Sequence, residues 1–250
     1  MIEEYEQLGL FDEEYPQYKI DKPIRLIELF AGIGSQSMAL KNLGVDFESY
    51  KAVKFDEPAI RSYNAIHGTS FPTMDVTKIH ASDLEIVDKD KYEYIMFYSF
   101  PCTDLSLAGK QAGMSRDSGT RSGLLWEVER LLKECGDNLP QLLIMENVVQ
   151  IFSEKNLPDF EEWIMFLRHL GYSNFYQALN AKDFGVPQNR DRCFMVSMLG
   201  KYDFQFPKTI PLEKVINDVL EEDVPEKYFI RSEKAELLIN QLIKDGKIEE

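Results

Sequence analysis

A cysteine directly follows a proline at the end of an apolar stretch, at Pro101 and Cys102. A thiol becomes a nucleophile as the thiolate, which requires exposure, whereas a lone cysteine is more often a buried, unreactive core residue. The next segment, residues 107–123, has four glycines and almost no apolar anchor, which predicts a mobile flap after the cysteine. On these residues alone, Cys102 is either a nucleophile held at a sheet edge or part of the core.

Charged side chains stand at two further places where a strand is expected to end or begin. Glu146 follows an apolar run, and a carboxylate beside a thiol on a neighbouring strand end could donate or share a proton. Arg190 and Arg192 are two residues apart as a strand begins, so both point the same way and could clamp an anion or a carbonyl oxygen. The simpler alternatives are a solvated or helix-capping glutamate and ordinary surface ion pairs.

A glycine turn joins the first expected strand to the first expected helix. Gly32 and Gly34 have the spacing G-x-G, and residues without Cβ let the backbone approach a ligand. A tight turn that only packs is the alternative. Asp56 lies where an acidic residue could bind ribose hydroxyls, although Lys54 occupies the usual position at the second strand end. Asp75 is expected at the end of a third strand, where it could accept from an exocyclic amine.

The elements that must position these residues alternate between strand and helix. Their apolar runs are continuous rather than alternating, which predicts an α/β fold with a doubly wound, mostly parallel sheet. A ligand site is then expected beyond the carboxyl ends of the strands. The expected strands are residues 24–30, 47–56, 92–99, 141–147, 173–181 and 192–199. The expected helices are residues 35–44, 57–68, 122–136 and 159–172, with two surface helices at 212–229 and 232–250.

Composition limits the class of protein. The chain has 250 residues, a formal net charge of -15 and three cysteines without CxxC spacing, which argues against a disulfide framework or a zinc site. No apolar run approaches the ~20 residues of a membrane span, and no secretory signal is visible. A cytoplasmic protein is therefore expected. Any surface that binds nucleic acid must be local, or must come from another chain.

Four motifs occur in order on the α/β pattern: FAGIGS, FPCTDLS, ENV and PQNRDR. Together they resemble the DNA cytosine-5 methyltransferase family over roughly residues 24–200, in particular its bacterial and phage restriction–modification members. The resemblance implies a Rossmann-like methyltransferase fold that binds S-adenosyl-L-methionine and releases S-adenosyl-L-homocysteine. It also implies a DNA substrate whose target cytosine is turned out of the helix.

For the base, the resemblance assigns a role to single residues. Cys102 matches the cysteine that attacks C6 of cytosine, and Glu146 matches the glutamate that hydrogen-bonds N3 and the exocyclic amine. Arg192 matches the arginine that reaches O2. We expect Arg190 and Gln188 to hold this constellation in place.

For the cofactor, the resemblance implies residues at several strand ends: Phe30, Gly32 and Gly34 around the methionine and adenosyl parts, Phe55 and Asp75 on the adenine, and Pro101 near the sulfonium. Lys54 stands where the family usually has a ribose-binding glutamate. Because a cation cannot accept from a hydroxyl group, we expect Asp56 to compensate.

After residue 207 the resemblance weakens. The family's target-recognition domain and its last motifs are not recognisable in residues 208–250. We therefore expect an acidic tail at 1–23, a catalytic domain at 24–207 and a helical segment that leads toward an absent recognition domain. This organisation indicates a truncated enzyme, or a split enzyme whose second polypeptide carries target recognition. The alternatives are a tRNA cytosine-5 methyltransferase and a non-catalytic subunit of a methyltransferase complex.

Overall fold

Six strands form one sheet in the order β2-β1-β3-β4-β6-β5. The computed structural model describes residues 15–106, 112–116 and 118–247. The strands are β1 Ile24–Leu29, β2 Phe47–Val53, β3 Glu93–Tyr98, β4 Leu142–Val148, β5 Tyr172–Asn180 and β6 Asp191–Leu199. β1 is parallel to β2 and β3, and β3 to β4, while β6 is antiparallel to both neighbours. The predicted mostly parallel α/β sheet is confirmed.

The helices are α1 Ser35–Asn42, α2 Glu57–His67, α3 Ala81–Leu84, α4 Leu125–Cys135, α5 Leu157–His169 and α6 Glu233–Lys244. All of them except the short α3, which was not predicted, overlap predicted helices. Helix α2 begins and ends at residues whose side chains or backbone angles favour helix ends. Asp56 caps its first turn by accepting from the Ala59 amide at 3.0 Å, and Gly68 ends it with a φ of 67°.

Separate apolar clusters cover the two faces of the sheet. The larger cluster joins alternate residues of β1 and β3, such as Ile27 and Met96, to helices α4 and α5. Trp163 of α5 is fully buried there, and its indole N–H donates to the Tyr98 hydroxyl at 3.1 Å. The intervening strand residues, such as Leu26, belong to a smaller cluster on the other face. With both faces covered, the strand ends are left to carry the site.

Two predicted elements are wrong. The third strand does not form, because Asp75 accepts from the amide and the hydroxyl of Thr77 at 3.0 and 2.8 Å. This local turn competes with extended pairing, and a single backbone bond from Met74 to the Lys54 carbonyl remains beside β2. The helix expected at 212–229 is replaced by 3₁₀ turns at Ile216–Val219 and Glu226–Tyr228.

The chain ends differ in how they meet this sheet. Residues 15–23 lie beside it, where Tyr18 donates to Glu93 and packs edge-on against Tyr202. The rest of the predicted tail lies outside the described residues. At the other end, residues 208–234 are exposed, and α6 leaves apolar side chains such as Leu237 in solvent. No helix in the described ranges is long and apolar enough to cross a membrane.

Candidate active site

The loop that carries Cys102 is fixed to its neighbours by backbone-directed hydrogen bonds. It leaves β3 and turns at once, because the Cys102 carbonyl accepts from the amides of Leu105 and Ser106 at 3.0 and 2.9 Å. The Asn147 side chain donates to the Phe100 carbonyl at 3.1 Å. Cys102 itself is half-buried and packs against the edge of the larger core cluster. The Cys102 thiol is therefore neither fully buried, as a core residue would be, nor fully exposed at the sheet edge.

Glu146 and the two arginines form one cluster. The Arg192 Nε lies 2.9 Å from Glu146 Oε1, and an Arg190 guanidinium nitrogen lies 3.8 Å from the same oxygen. Their side chains are partly exposed, with Glu146 at 28% and Arg192 at 21%. Both cations converge on one carboxylate, so the arginines are not scattered surface pairs.

Strand register explains why these residues meet. Glu146 lies opposite Phe194 and Val148 opposite Arg192 in the antiparallel pair of β4 and β6, so Glu146 and Arg192 are diagonal neighbours on the same face. Parallel pairing of β3 with β4 brings the Cys102 loop to the same edge of the sheet. The site thus combines two carboxyl strand ends with the amino end of β6.

The glycine turn, residues 30–35, lies at the same edge, after β1. Phe30 and Gly34 both have positive φ, at 58° and 80°. A Cβ on Gly34 would meet the His67 ring at 2.2 Å, whereas one on Gly32 would meet no atom within 4 Å. Phe55, after β2, is 70% exposed. An open backbone turn beside an exposed aromatic ring fits a nucleoside-bearing cofactor such as S-adenosyl-L-methionine.

The polar residues expected at the cofactor are engaged locally. Asp56 caps α2 through one carboxylate oxygen. Hydrogen bonds from Thr77 hold the pKa of Asp75 below its ordinary value. Lys54, at the end of β2, has its ammonium 5.6 Å from the centre of the Phe55 ring. Their assignment to ribose and adenine stays a prediction.

The segment after Cys102 has anchors that its composition hides. Met114 is fully buried, and the Trp126 indole donates to its carbonyl at 2.7 Å. Arg116 stacks on Trp126 at 3.8 Å and pairs with Glu129 and Glu162. The prediction of a flap without anchors is therefore wrong for residues 112–116, while residues 107–111 and 117 lie outside the described part.

Sequence reasoning missed the residues that hold the loops. Ser122, which is fully buried, donates to the Pro101 carbonyl at 2.7 Å. Asp104 accepts from the Arg121 amide at 2.8 Å. In the glycine turn, the Ile33 carbonyl bonds His67 of α2 at 2.8 Å. Of these contacts, the sequence pointed only to that of Asn147 in the ENV motif, because an asparagine in a buried strand needs a hydrogen-bond partner.

Comparison with known proteins identifies a family. The profile of C-5 cytosine-specific DNA methylase matches residues 24–248. The chain is 32% identical over 260 residues to the type II methyltransferase M2.ScrFI of Lactococcus lactis subsp. cremoris, covering 85% of this chain and 71% of that protein. It is 35% identical over 259 residues to the orphan methyltransferase M.SssI of Spiroplasma monobiae, covering 82% of this chain and 67% of that protein.

Solved structures agree on the fold. The S. pombe Dnmt2 methyltransferase has a TM-score of 0.68 at 22% identity, over 88% of this chain and 66% of that one. The Entamoeba histolytica methyltransferase EhMeth has a TM-score of 0.67 at 20% identity, over 90% of this chain and 66% of that one. The chain therefore spans about two thirds of the length of these proteins, and the likeness shows a shared methyltransferase fold.

Proposed function

The chain belongs to the C-5 cytosine-specific DNA methylase family, whose reaction is S-adenosylmethionine-dependent methylation of cytosine C5 in DNA, and we propose that Cys102 and the Glu146 cluster perform that reaction here. The observation that carries the proposal is the convergence of Arg192 and Arg190 on Glu146, beside a loop that presents a half-buried thiol.

The nucleophile solves the first chemical difficulty. Cytosine C5 is a poor nucleophile until a thiolate adds to C6 and makes an enamine-like intermediate. Cys102 forms this S–C6 bond. The bonds from Ser122 to the Pro101 carbonyl and from Asn147 to the Phe100 carbonyl fix the loop that aims the thiol.

The charged cluster addresses the second chemical difficulty, which is the charge that develops on the ring. Addition at C6 places negative charge on N3 and O2, which a proton donor and a cation must stabilise. Glu146 in its protonated form donates to N3, and Arg192 donates to O2. Arg190, whose guanidinium contacts the same Oε1 atom as Arg192, helps to orient the Glu146 carboxyl.

The last steps restore the ring. When bound, S-adenosyl-L-methionine supplies the electrophilic methyl group that C5 takes. The C5 proton then leaves to a base, the S–C6 bond breaks, Cys102 is released as the thiolate, and the proton on N3 returns to Glu146. The cytosine must first leave the duplex, at a cost of a few kcal/mol.

DNA recognition is the second part of the proposal. The matched family is one of DNA methylases, and its relatives M2.ScrFI and M.SssI are type II and orphan methyltransferases, which favours DNA over the tRNA alternative. A chain with a net charge of -15 gains little from general attraction to phosphate, so we assign sequence reading to a further polypeptide segment or a second chain. We also propose a cytoplasmic location, because a thiolate nucleophile must stay reduced.

Covalent trapping tests the proposal. The chain is incubated with S-adenosyl-L-methionine and a duplex containing 5-fluorocytosine, whose C5 substituent cannot leave, and adducts are measured by mass. We expect an adduct that is lost in Cys102→Ser and kept in the control Cys135→Ser, because Cys135 is buried. The duplex is offered with and without a polypeptide that carries a family recognition domain. Absence of an adduct in both conditions would overturn the proposed function.

A further inference from the structure

We propose that His67 is a positioning residue for the cofactor, because it holds the glycine turn in its open shape from the last turn of α2. The inference rests on the proposed function, since it assigns the turn to S-adenosyl-L-methionine. His67 lies 34 residues from the turn in sequence, and its Nε2 is 2.8 Å from the Ile33 carbonyl oxygen. Ile33 is itself 51% exposed, so its own side chain does little to hold the turn.

Hydrogen-bond chemistry fixes the form of the imidazole. A carbonyl oxygen can only accept, so Nε2 carries the proton and donates to Ile33. An ammonium group can only donate, so Nδ1 accepts from Lys41, 3.2 Å away. The neutral ring thereby satisfies both partners. A proton on Nδ1 would place a second cation against Lys41.

The turn needs a support of this kind because its backbone is unusual. Phe30 has a φ of 58°, a conformation that costs a non-glycine residue roughly 1–2 kcal/mol. Gly34 has a φ of 80° and lies so close to His67 and Tyr63 that any Cβ would overlap their rings. The turn and the end of α2 are therefore shaped to one another.

Helix α2 can act as a support because it is tied beneath the turn as well. Tyr63, one helical turn before His67, donates to Glu28 of β1 at 2.5 Å. Glu28 is 1% exposed, also accepts from Ser37 at 2.9 Å, and burial raises its pKa above the ordinary value. Tyr63 and His67 thus connect one face of α2 to both sides of the turn.

The same helix begins at the other end of the expected cofactor site. Its cap, Asp56, directly follows Phe55, the residue expected on the adenine. An 11-residue helix is about 16 Å long. Through α2, His67 fixes the glycine turn relative to the aromatic ring that follows β2.

Calorimetric titration of the whole chain with S-adenosyl-L-methionine tests the inference with matched variants. His67→Gln keeps a donor at the position of Nε2, whereas His67→Asn places its amide nearer Nδ1 and His67→Phe keeps only the ring. We expect Kd to rise about three- to tenfold in the Asn and Phe variants and less than twofold in the Gln variant. Lys41→Met, which removes the bond to Nδ1 but keeps the bond from Nε2 to Ile33, should also change Kd less than twofold.

Hydrogen exchange supplies a second readout that does not depend on the cofactor. Faster exchange confined to residues 32–35 in the Asn and Phe variants, with unchanged melting temperature, is the expected result. Wild-type affinity in those variants overturns the inference, and so does a Gln variant as weak as the Phe variant, which would reduce His67 to ring packing. A wild-type chain that does not bind S-adenosyl-L-methionine overturns the proposed function, and the cofactor role of His67 with it.

Discussion

The two halves of the functional sheet edge are built from different material. In the cysteine half, which comprises the Cys102 loop and the Glu146 cluster, side chains carry the chemistry and two guanidinium groups hold the carboxylate. In the glycine half, which comprises the glycine turn and α2, backbone faces the expected cofactor. There a buried network of Glu28, Tyr63 and Ser37 holds the helix, and no Arg or Lys of the described residues pairs with the Glu28 carboxyl.

This difference predicts how each half fails. A reaction step that depends on one carboxyl group is lost when that group changes, even if the fold is intact. A binding surface made of backbone tolerates side-chain changes and fails when the backbone cannot keep its dihedral angles. Substitutions in the cysteine half should therefore lower turnover, and substitutions in the glycine half should weaken cofactor binding.

Glu146→Gln should give the largest effect among these tests. The amide is nearly isosteric, but it cannot pass a proton to N3 during the reaction, and without substrate it leaves two guanidinium groups unpaired with an anion. We expect methyl transfer to fall on the order of 10²- to 10³-fold, with cofactor Kd changed less than about twofold. Turnover is measured with labelled methyl donor under the condition in which wild type forms the trapped adduct.

The matched control is Glu161→Gln, which makes the same charge change at an exposed position on α5. It should leave both quantities at wild-type values. A Glu146→Gln variant that turns over normally would remove the carboxyl from the reaction. A variant that loses only cofactor binding would erase the distinction between the halves.

Gly34→Ala should give the next largest effect, and this effect should be on cofactor binding rather than on turnover. Its φ of 80° and the His67 ring 2.2 Å from the added Cβ combine strain with overlap. We expect cofactor Kd to rise about tenfold or more and stability to fall by roughly 1–2 kcal/mol. Calorimetry and thermal melting measure the two quantities.

Two other glycines separate the causes. Gly44→Ala has a φ of 69° with no atom near the added Cβ, so it carries strain alone and should lower stability without weakening binding. Gly32→Ala has open space and an ordinary φ, so it should leave stability intact and weaken binding only if the cofactor lies against it. Equal binding by Gly34→Ala and Gly44→Ala would show that the shape of the glycine turn is unimportant.

Ser122→Ala tests the cysteine half at a smaller scale. It removes the donor to the Pro101 carbonyl, next to the nucleophile, and changes no charge. We expect turnover to fall about three- to tenfold with unchanged cofactor Kd. The control Ser118→Ala removes a hydroxyl that, among the described residues, bonds Thr120. Normal turnover in Ser122→Ala would mean that the loop needs no such tether.

The sequence predicted this edge in part, and the reason lies in the range of the interactions. Apolar runs and caps are local, so β1 to β4 and helices such as α2 were predictable. Cys102, Glu146 and Arg192 stood at strand ends, and the motifs supplied the roles that we propose for them. Strand periodicity also indicated the shared direction of the arginines, which the structure shows as two contacts to one carboxylate.

The failures have physical causes as well. The strand predicted to end at Asp75 does not form, because Asp75 makes hydrogen bonds within three residues of the chain. The hydrophobic pattern carries no information about such bonds. Residues 212–229 are exposed in the described part of the chain, and isolated short helices are marginal in water. The contact between Met114 and Trp126 and the hydrogen bond between His67 and the Ile33 carbonyl, 34 residues away, both depend on the assembled fold.

The opposite edge of the sheet should have the smallest effect on function, and Glu93→Gln tests this. Burial raises the pKa of Glu93 from an ordinary value of 4.5 to about 7. The folded chain therefore binds this proton more tightly than the unfolded chain. The stability that the neutral carboxyl contributes is complete below about pH 4.5 and is lost as the pH rises through about 7. The loss is at most about 3 kcal/mol, because Tyr18 donates to the same carboxyl and favours its ionised form.

Glu93→Gln removes the titration, so the variant should gain on wild type in melting temperature as the pH rises from 5 to 8. Its turnover and cofactor Kd should not change, because Glu93 begins β3 at the end away from Cys102. The exposed Glu161→Gln should show no such pH-dependent gain. Equal melting curves for Glu93→Gln and wild type at every pH would mean that the Tyr18 bond cancels the cost of burial. Loss of turnover would mean that the two ends of β3 are coupled, and the division of labour would then extend beyond the functional edge.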